Sequence, residues 1–230
     1  MNIQRRLLLK GMALSGISGL VLGKSGMVLA NASIGSAESM PILLLINEET
    51  KHSVFYQGVR AAAGQGALQM CITDPGTNFF SLLQNNIRSE QGRRIVGLVD
   101  DASATLIVDL ARTAGARMHW LGQHAVVPGQ SRHRLSDSRI TSSYGTLFGS
   151  RLAAHGFSID SDDQWAVKKG AVYESVSYVR NGIPDGQQWA ADLGFILAGN
   201  GYQTTLSVIP QVSTKPAPLT GHFVSFAFEI

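Results

Sequence analysis

The chain has 230 residues, 44% of them hydrophobic and 15% charged, with one cysteine and 19 lysines and arginines against 16 aspartates and glutamates. A single cysteine excludes an intramolecular disulfide, thiolate zinc, an iron–sulfur cluster and covalent haem, so stability must come from a buried core. Arg5, Arg6, Lys10 and Lys24 all precede residue 33, which leaves 15 basic against 16 acidic residues downstream. That balance lacks the cationic surplus a nucleic-acid partner would need.

Residues 2–10 run as a polar start, the pair Arg5-Arg6, the apolar triplet Leu7-Leu8-Leu9 and Lys10. A mild stretch from Gly11 to Gly23 follows, and Ala30-Asn31-Ala32 sets small residues where a leader peptidase reads. This is the three-part layout of an export signal. Its apolar part is too short and glycine-rich for a spanning helix, which wants about 20 strongly apolar residues. The segment resembles twin-arginine (Tat) signals in Arg5, Arg6, Leu8, Leu9 and Lys10, with Gln4 where Ser or Thr is usual. The resemblance implies recognition of Arg5 and Arg6 by the twin-arginine translocase and export of a folded protein to the periplasm. It also implies cleavage near Ala32, with no stable membrane anchor afterwards. The expected organisation is a signal over 1–32, a mobile lead-in over 33–40 and a single α/β domain over 41–230.

In the domain, residues 41–46 (Pro-Ile-Leu-Leu-Leu-Ile) read as a strand buried on both faces, too short for a helix. Phe55, Val59 and Ala62 share one face of a helix over 52–63, closed by Gly64 and Gly66. Residues 68–73 form a second strand, with Cys71 as a buried, inert small hydrophobe, stopped by Asp74-Pro75-Gly76. Phe79, Leu82, Leu83 and Ile87 stripe a second helix. Residues 95–99 form a third strand, and a third helix carries Leu106, Ile107, Leu110 and Ala111. Residues 118–121 make a fourth strand. Strand–helix alternation with short links predicts a parallel sheet covered by helices.

The second half is less regular. Residues 127–138 read as a polar loop. A helix capped by Ser142 or Ser143 runs through Leu147, Phe148 and Leu152 to Gly156. Residues 171–179 alternate as a half-exposed strand, and a helix after Asp185 carries Trp189, Leu193, Ile196 and Leu197. Two late strands, 204–209 and 223–230, are expected to pair antiparallel. The fold class is therefore α/β: a three-layer sandwich with a mostly parallel sheet, helices on both faces and antiparallel late strands.

Residues 55–62 (Phe-Tyr-Gln-Gly-Val-Arg-Ala-Ala), 97–101 (Gly-Leu-Val-Asp-Asp) and 110–116 (Leu-Ala-Arg-Thr-Ala-Gly-Ala) resemble the amino-terminal lobe of type I periplasmic binding proteins. The resemblance implies a ligand-binding α/β fold. The 105 or so residues after the fourth strand are too few for that family's second lobe, so the likeness is one of fold.

In a parallel sheet, ligands sit beyond the carboxyl ends of the strands. Those ends deliver Asn47 and Glu48, then Asp74, then Asp100 and Asp101, then Gln123 and His124. Glu48, Asp74, Asp100, Asp101 and His124 are the candidate ligand-binding residues. Such a rim would hold sugar hydroxyls or a divalent metal, or serve as acid and base if burial splits the carboxylate pKa values. The bland alternative makes Asp101 or Ser103 a helix cap, Asp74 a turn residue and Glu48 solvated surface. Arg132-His133-Arg134 through Arg139 is a second, cationic candidate. His119 and His124 are expected on opposite faces of a strand and form no metal pair. No nucleophile elbow or phosphate loop is present. The residues favour an exported, non-catalytic binding or accessory protein, without a predicted cofactor, serving another exported protein. The other reading is a small periplasmic enzyme working through the acidic rim, with a divalent metal assisting.

Overall fold

The computed structural model describes residues 40–63, 68–73, 77–88, 92–137, 142–160, 174–181, 187–199 and 219–230, all within one unit, Glu38–Ile230. The signal, the lead-in up to residue 39, the strand expected over 204–209, Asp74, Arg139 and Asp185 lie outside the described residues.

The described strands form one eight-stranded sheet. The strands are β1 (Ile42–Ile46), β2 (Leu68–Ile72), β3 (Arg94–Asp100), β4 (Arg117–Val127), β5 (Gln130–Asp137), β6 (Ser158–Ile159), β7 (Glu174–Asn181) and β8 (Gly221–Glu229). Their order across the sheet is β2-β1-β3-β8-β4-β5-β7-β6. The helices are α1 (Val54–Ala63), α2 (Thr77–Ile87), α3 (Asp101–Thr113), α4 (Ser142–Ala154) and α5 (Gln188–Ala198). Among the described residues, only β1–β2 and β1–β3 pair in parallel; every other pairing is antiparallel. The expectation of a mostly parallel sheet is therefore corrected to a mixed, mostly antiparallel one, with helices packed on it.

Two placements cause the change. First, β8 inserts antiparallel between β3 and β4, which both run in the opposite direction to it. Both its edges are taken, by β3 and by β4. Second, residues 130–137 are no polar loop. They form β5, a hairpin partner of β4 that turns at Pro128 and Gly129, where Gly129 has φ of +79°. Its inward residues Ser131, His133 and Leu135 are buried, while Arg132 is exposed and Arg134 partly so. The period of two was present, but it was written in serine and histidine.

The core divides by face. Ile42, Leu44, Ile46, Val96, Leu98, Trp120, Phe223 and Ala227 pack beneath α1, α4 and α5. Leu43, Leu45, Ile95, Val99, Val224, Phe226 and Phe228 pack beneath α2 and α3. Helix α1 approaches α5 backbone to backbone, because a Cβ on Gly58 would lie 2.0 Å from the Ala191 carbonyl oxygen, and one on Gly194 2.3 Å from that of Phe55. Every residue of α5 from Trp189 to Ala198 is buried, so it is a core helix and not the one-faced helix its pattern suggested. Its one charge, Asp192, is fully buried. It accepts from Arg151 Nε at 2.7 Å and Gln188 Nε2 at 3.0 Å, and meets His155 Nε2 at 2.8 Å, which ties α4 to α5. Burial alone would raise the Asp192 pKa, but bonds from His155, Arg151 and Gln188 bring it below its ordinary value. Cys71, on the edge strand β2, is half-buried rather than fully enclosed.

Candidate functional site

The site is positioned by a β-bulge. Met118 packs toward α2 and α3, yet Trp120, two residues on, packs beneath α4 and α5. The register of β4 against β8 shifts between them, so one extra residue, His119, reverses the alternation. From there Trp120, Gly122, His124 and Val126 face α4 and α5. Leu121, Gln123 and Ala125 face the side of α3.

On the α3 side a trough follows. Its upper part, about 300 Å³, is bounded by Asp101 at the start of α3, by Gln123 and His124 of β4, by Arg132 and Arg134 of β5, and by His222. A second part of about 260 Å³ shares Asp101 and Gln123 and runs along α3 past Thr105 and Asp109 to Arg112, over Leu121 and Val224. The register places Gln123 opposite Arg134 and Ala125 opposite Arg132. Arg132 and Arg134 thus stand across the upper part from Asp101, while Asp109 and Arg112 both line the second part along α3. Arg132 also meets Asp160 at 3.2 Å.

The rim expected from the strand ends is assembled only in part. Asp101 and Gln123 reach the trough; His124 lies at its floor, but its ring is buried on the α4 and α5 side. Asp100 does not line it. Asp100 is the N-cap of α3, its carboxylate accepting from Ser103 N at 2.9 Å and Ser103 Oγ at 2.7 Å. Partial burial works to raise the Asp100 pKa, but those bonds outweigh it and the net shift is downward. The cap is therefore Asp100, not Asp101 or Ser103, and Asp101 is left exposed as the first helical residue. Glu48 is exposed and lies 3.4 Å from Lys51, outside the trough. Neighbouring Asn47 is tied to Thr50, whose Oγ1 donates to the Leu98 carbonyl at 2.8 Å, knotting the ends of β1 and β3. His119 sits near the opposite end of β4, 3.0 Å from Glu229, which also takes Arg94 at 2.5 Å.

Beneath the trough floor lies a polar group that sequence reading missed. His124 and His133 are directly opposite in the β4–β5 register, and both point inward. Their Nδ1 atoms are 2.8 Å apart. His124 Nε2 is 2.7 Å from Ser225 Oγ, which also accepts from Trp120 Nε1 at 2.7 Å. Gly122 makes this geometry fit, since a Cβ there would come within 2.9 Å of the Trp120 ring and 3.0 Å of Ser225 Oγ. The Trp189 ring stands 5.2 Å from His124 and 4.4 Å from His133. Burial pushes the His124 pKa down to about 3, and burial together with the neighbouring His124 holds His133 well below its ordinary value. Both rings are neutral at physiological pH. The signal that would have located this group is the inward parity of His133 in a strand that had looked like loop.

Among the described residues, no three or more His, Cys, Asp or Glu side chains gather as a metal cluster, and no helix is long and apolar enough to cross a membrane. No family model, curated protein or solved structure matches the chain.

Proposed function

We propose that the chain is an exported periplasmic binding protein, non-catalytic, serving another exported protein through the trough between α3 and the β4–β5 hairpin. The observation that carries this reading is the pairing of walls. Asp101 at the start of a helix faces Arg132 and Arg134 on a strand, across a floor that belongs to the central sheet. Opposed charges on rigid elements select orientation in a partner without performing chemistry.

Three other acidic groups are committed elsewhere. Asp100 caps a helix, Asp192 clamps α4 to α5, and Glu229 binds Arg94. Ser225 Oγ and His124 Nε2 have the spacing of a nucleophile and its base. However, Ser225 is fully buried, its oxygen already accepts from Trp120, and the imidazole behind it faces a second neutral imidazole rather than a carboxylate.

Two measurements test the reading. Replacing Arg5 and Arg6 by lysine is expected to hold the precursor in the cytoplasm; unchanged export would remove the twin-arginine route. Native mass spectrometry of the protein exported from its host is expected to show a bound species that Asp101→Asn and Arg134→Gln each lose with an unaltered melting temperature. A species retained by both variants would place binding away from the trough.

A further inference from the structure

The two walls of the upper trough differ in charge, and the β-ladder sets how far apart they stand. Of the rungs whose side chains face α3, one carries His222, Ala125 and Arg132 on β8, β4 and β5, and the next carries Val224, Gln123 and Arg134. Asp101 follows the end of β3, three strand spacings from β5, or about 14 Å. Between that carboxylate and the two guanidinium groups the floor is the Ala125 methyl group, with the exposed His222 and Gln123 beside it. Among the described residues, neither the Asp101 carboxylate nor the Gln123 carboxamide has a hydrogen-bond or ion-pair partner. We propose that the trough takes an extended peptide segment of the partner protein that carries an acidic and a basic residue side by side. This rests on the reading of the trough as that partner's site and names the chemistry recognised there.

An extended chain turns successive side chains to opposite sides. Lying along β4, it presents one residue to Arg132 and Arg134 and the adjacent residue to Asp101, so neighbouring charges of opposite sign match both walls. Charges two residues apart would go to the same wall, and one of them would meet its own sign there. A phosphate or a lone carboxylate would satisfy the arginines but be repelled by Asp101. The pair with Asp160 at 3.2 Å holds the Arg132 head at its wall, and a guanidinium has five N–H groups with which to bond a carboxylate as well. Gln123 lines both parts of the trough. Its carboxamide donates and accepts, which are the two bonds that a peptide group of the passing chain takes and gives. Beyond it, Ala104, Val108, Leu121 and Val224 line the second part and offer the following side chain an apolar seat.

The test is a titration of the isotope-labelled exported protein with the end-capped peptide Ala-Ala-Glu-Lys-Ala-Ala, followed by backbone amide chemical shifts. Saturable shifts are expected at Asp101, Gln123, Ala125 and Arg134. A peptide with one alanine between Glu and Lys, and peptides with alanine in place of either charge, should each bind about tenfold more weakly, the loss of one charge-assisted contact. Asp101→Asn should bind the Glu-Lys and Glu-Ala peptides alike, and Arg134→Gln should narrow the gap between the Glu-Lys and Ala-Lys peptides. A change of fold alone would not produce that selective loss. Equal binding of the adjacent and separated charges, shifts clustered away from Gln123, or no saturable binding would each overturn the proposal. If no peptide binds while the species carried from the host is still lost by Asp101→Asn, the trough remains the site and its occupant is not this kind of peptide.

Discussion

Lowering the pH from 7 to 5 is expected to destabilise the fold through His124 and His133 before the paired carboxylates lose their charge. In the unfolded chain a histidine titrates near 6.5, whereas folded His124 titrates at about 3. Between those values the unfolded state binds a proton that the folded state refuses, so stability falls as pH falls through that window. At pH 5 the gap is about 1.5 pH units, or about 2 kcal/mol from His124 alone. His133 is shifted in the same direction and adds to the slope. For a domain of this size about 1 kcal/mol moves the melting temperature by about 2–4 °C, so a loss of about 4–8 °C or more is expected between pH 7 and pH 5. Asp100, Asp192 and Glu229 have lowered pKa values, so their contributions are present above about pH 4 and vanish only below it. Thermal melts in the presence of a chelator, at half-unit steps from pH 7.5 to 5, measure the effect. The His124→Gln/His133→Gln double variant should melt lower at pH 7 but show a shallower slope. A flat profile in the unaltered protein, or a slope the double variant keeps, would refute the reasoning.

Gly58→Ala should cost about 3 kcal/mol or more in denaturant unfolding, because its Cβ would enter the Ala191 backbone, whereas Gly145→Ala meets nothing within 4 Å and should stabilise α4 by up to about 1 kcal/mol. Asp100→Ala should cost about 1 kcal/mol through the lost cap, while Asp101→Ala stays within about 0.5 kcal/mol; equal costs would contradict the cap assignment. Burial raises the Cys71 pKa, so a thiol reagent at pH 7 should label the native protein several-fold more slowly than the unfolded chain.

The first half was legible because its strands are buried on both faces and say so in unbroken apolar runs, as in Ile42–Ile46. Its helices carry stripes ended by glycine. What local pattern lacked was the partner of β8, since nothing in Phe223, Val224 or Phe226 tells which strands will flank it. Strand β5 was hidden by its inward side chains: Ser131 and His133 are paired with buried neighbours only after the hairpin forms. The helix cap was expected at Asp101 or Ser103 and lies at Asp100. Aspartate at either of two adjacent positions suits a helix start, and only the backbone angles of Asp100, extended at φ −64° and ψ 163°, decide which of them caps and which faces the trough.

The placement of β8 has a consequence for how the molecule comes together. The strand that joins the two halves of the sheet lies after every other element in the chain. Until it arrives, β2-β1-β3 and β4-β5-β7-β6 are separate blocks with no ladder between them, and β3 and β4 each present a bare edge open to any other strand. Local hairpins and crossovers form early, but closure waits for pairings that span more than 90 residues of sequence, from β4 at Arg117–Val127 to β8 at Gly221–Glu229. Closure of this sheet is therefore expected to follow the local pairings. A chain cut before residue 221 is expected to yield sticky half-sheets, and a supplied peptide of residues 219–230 should close them.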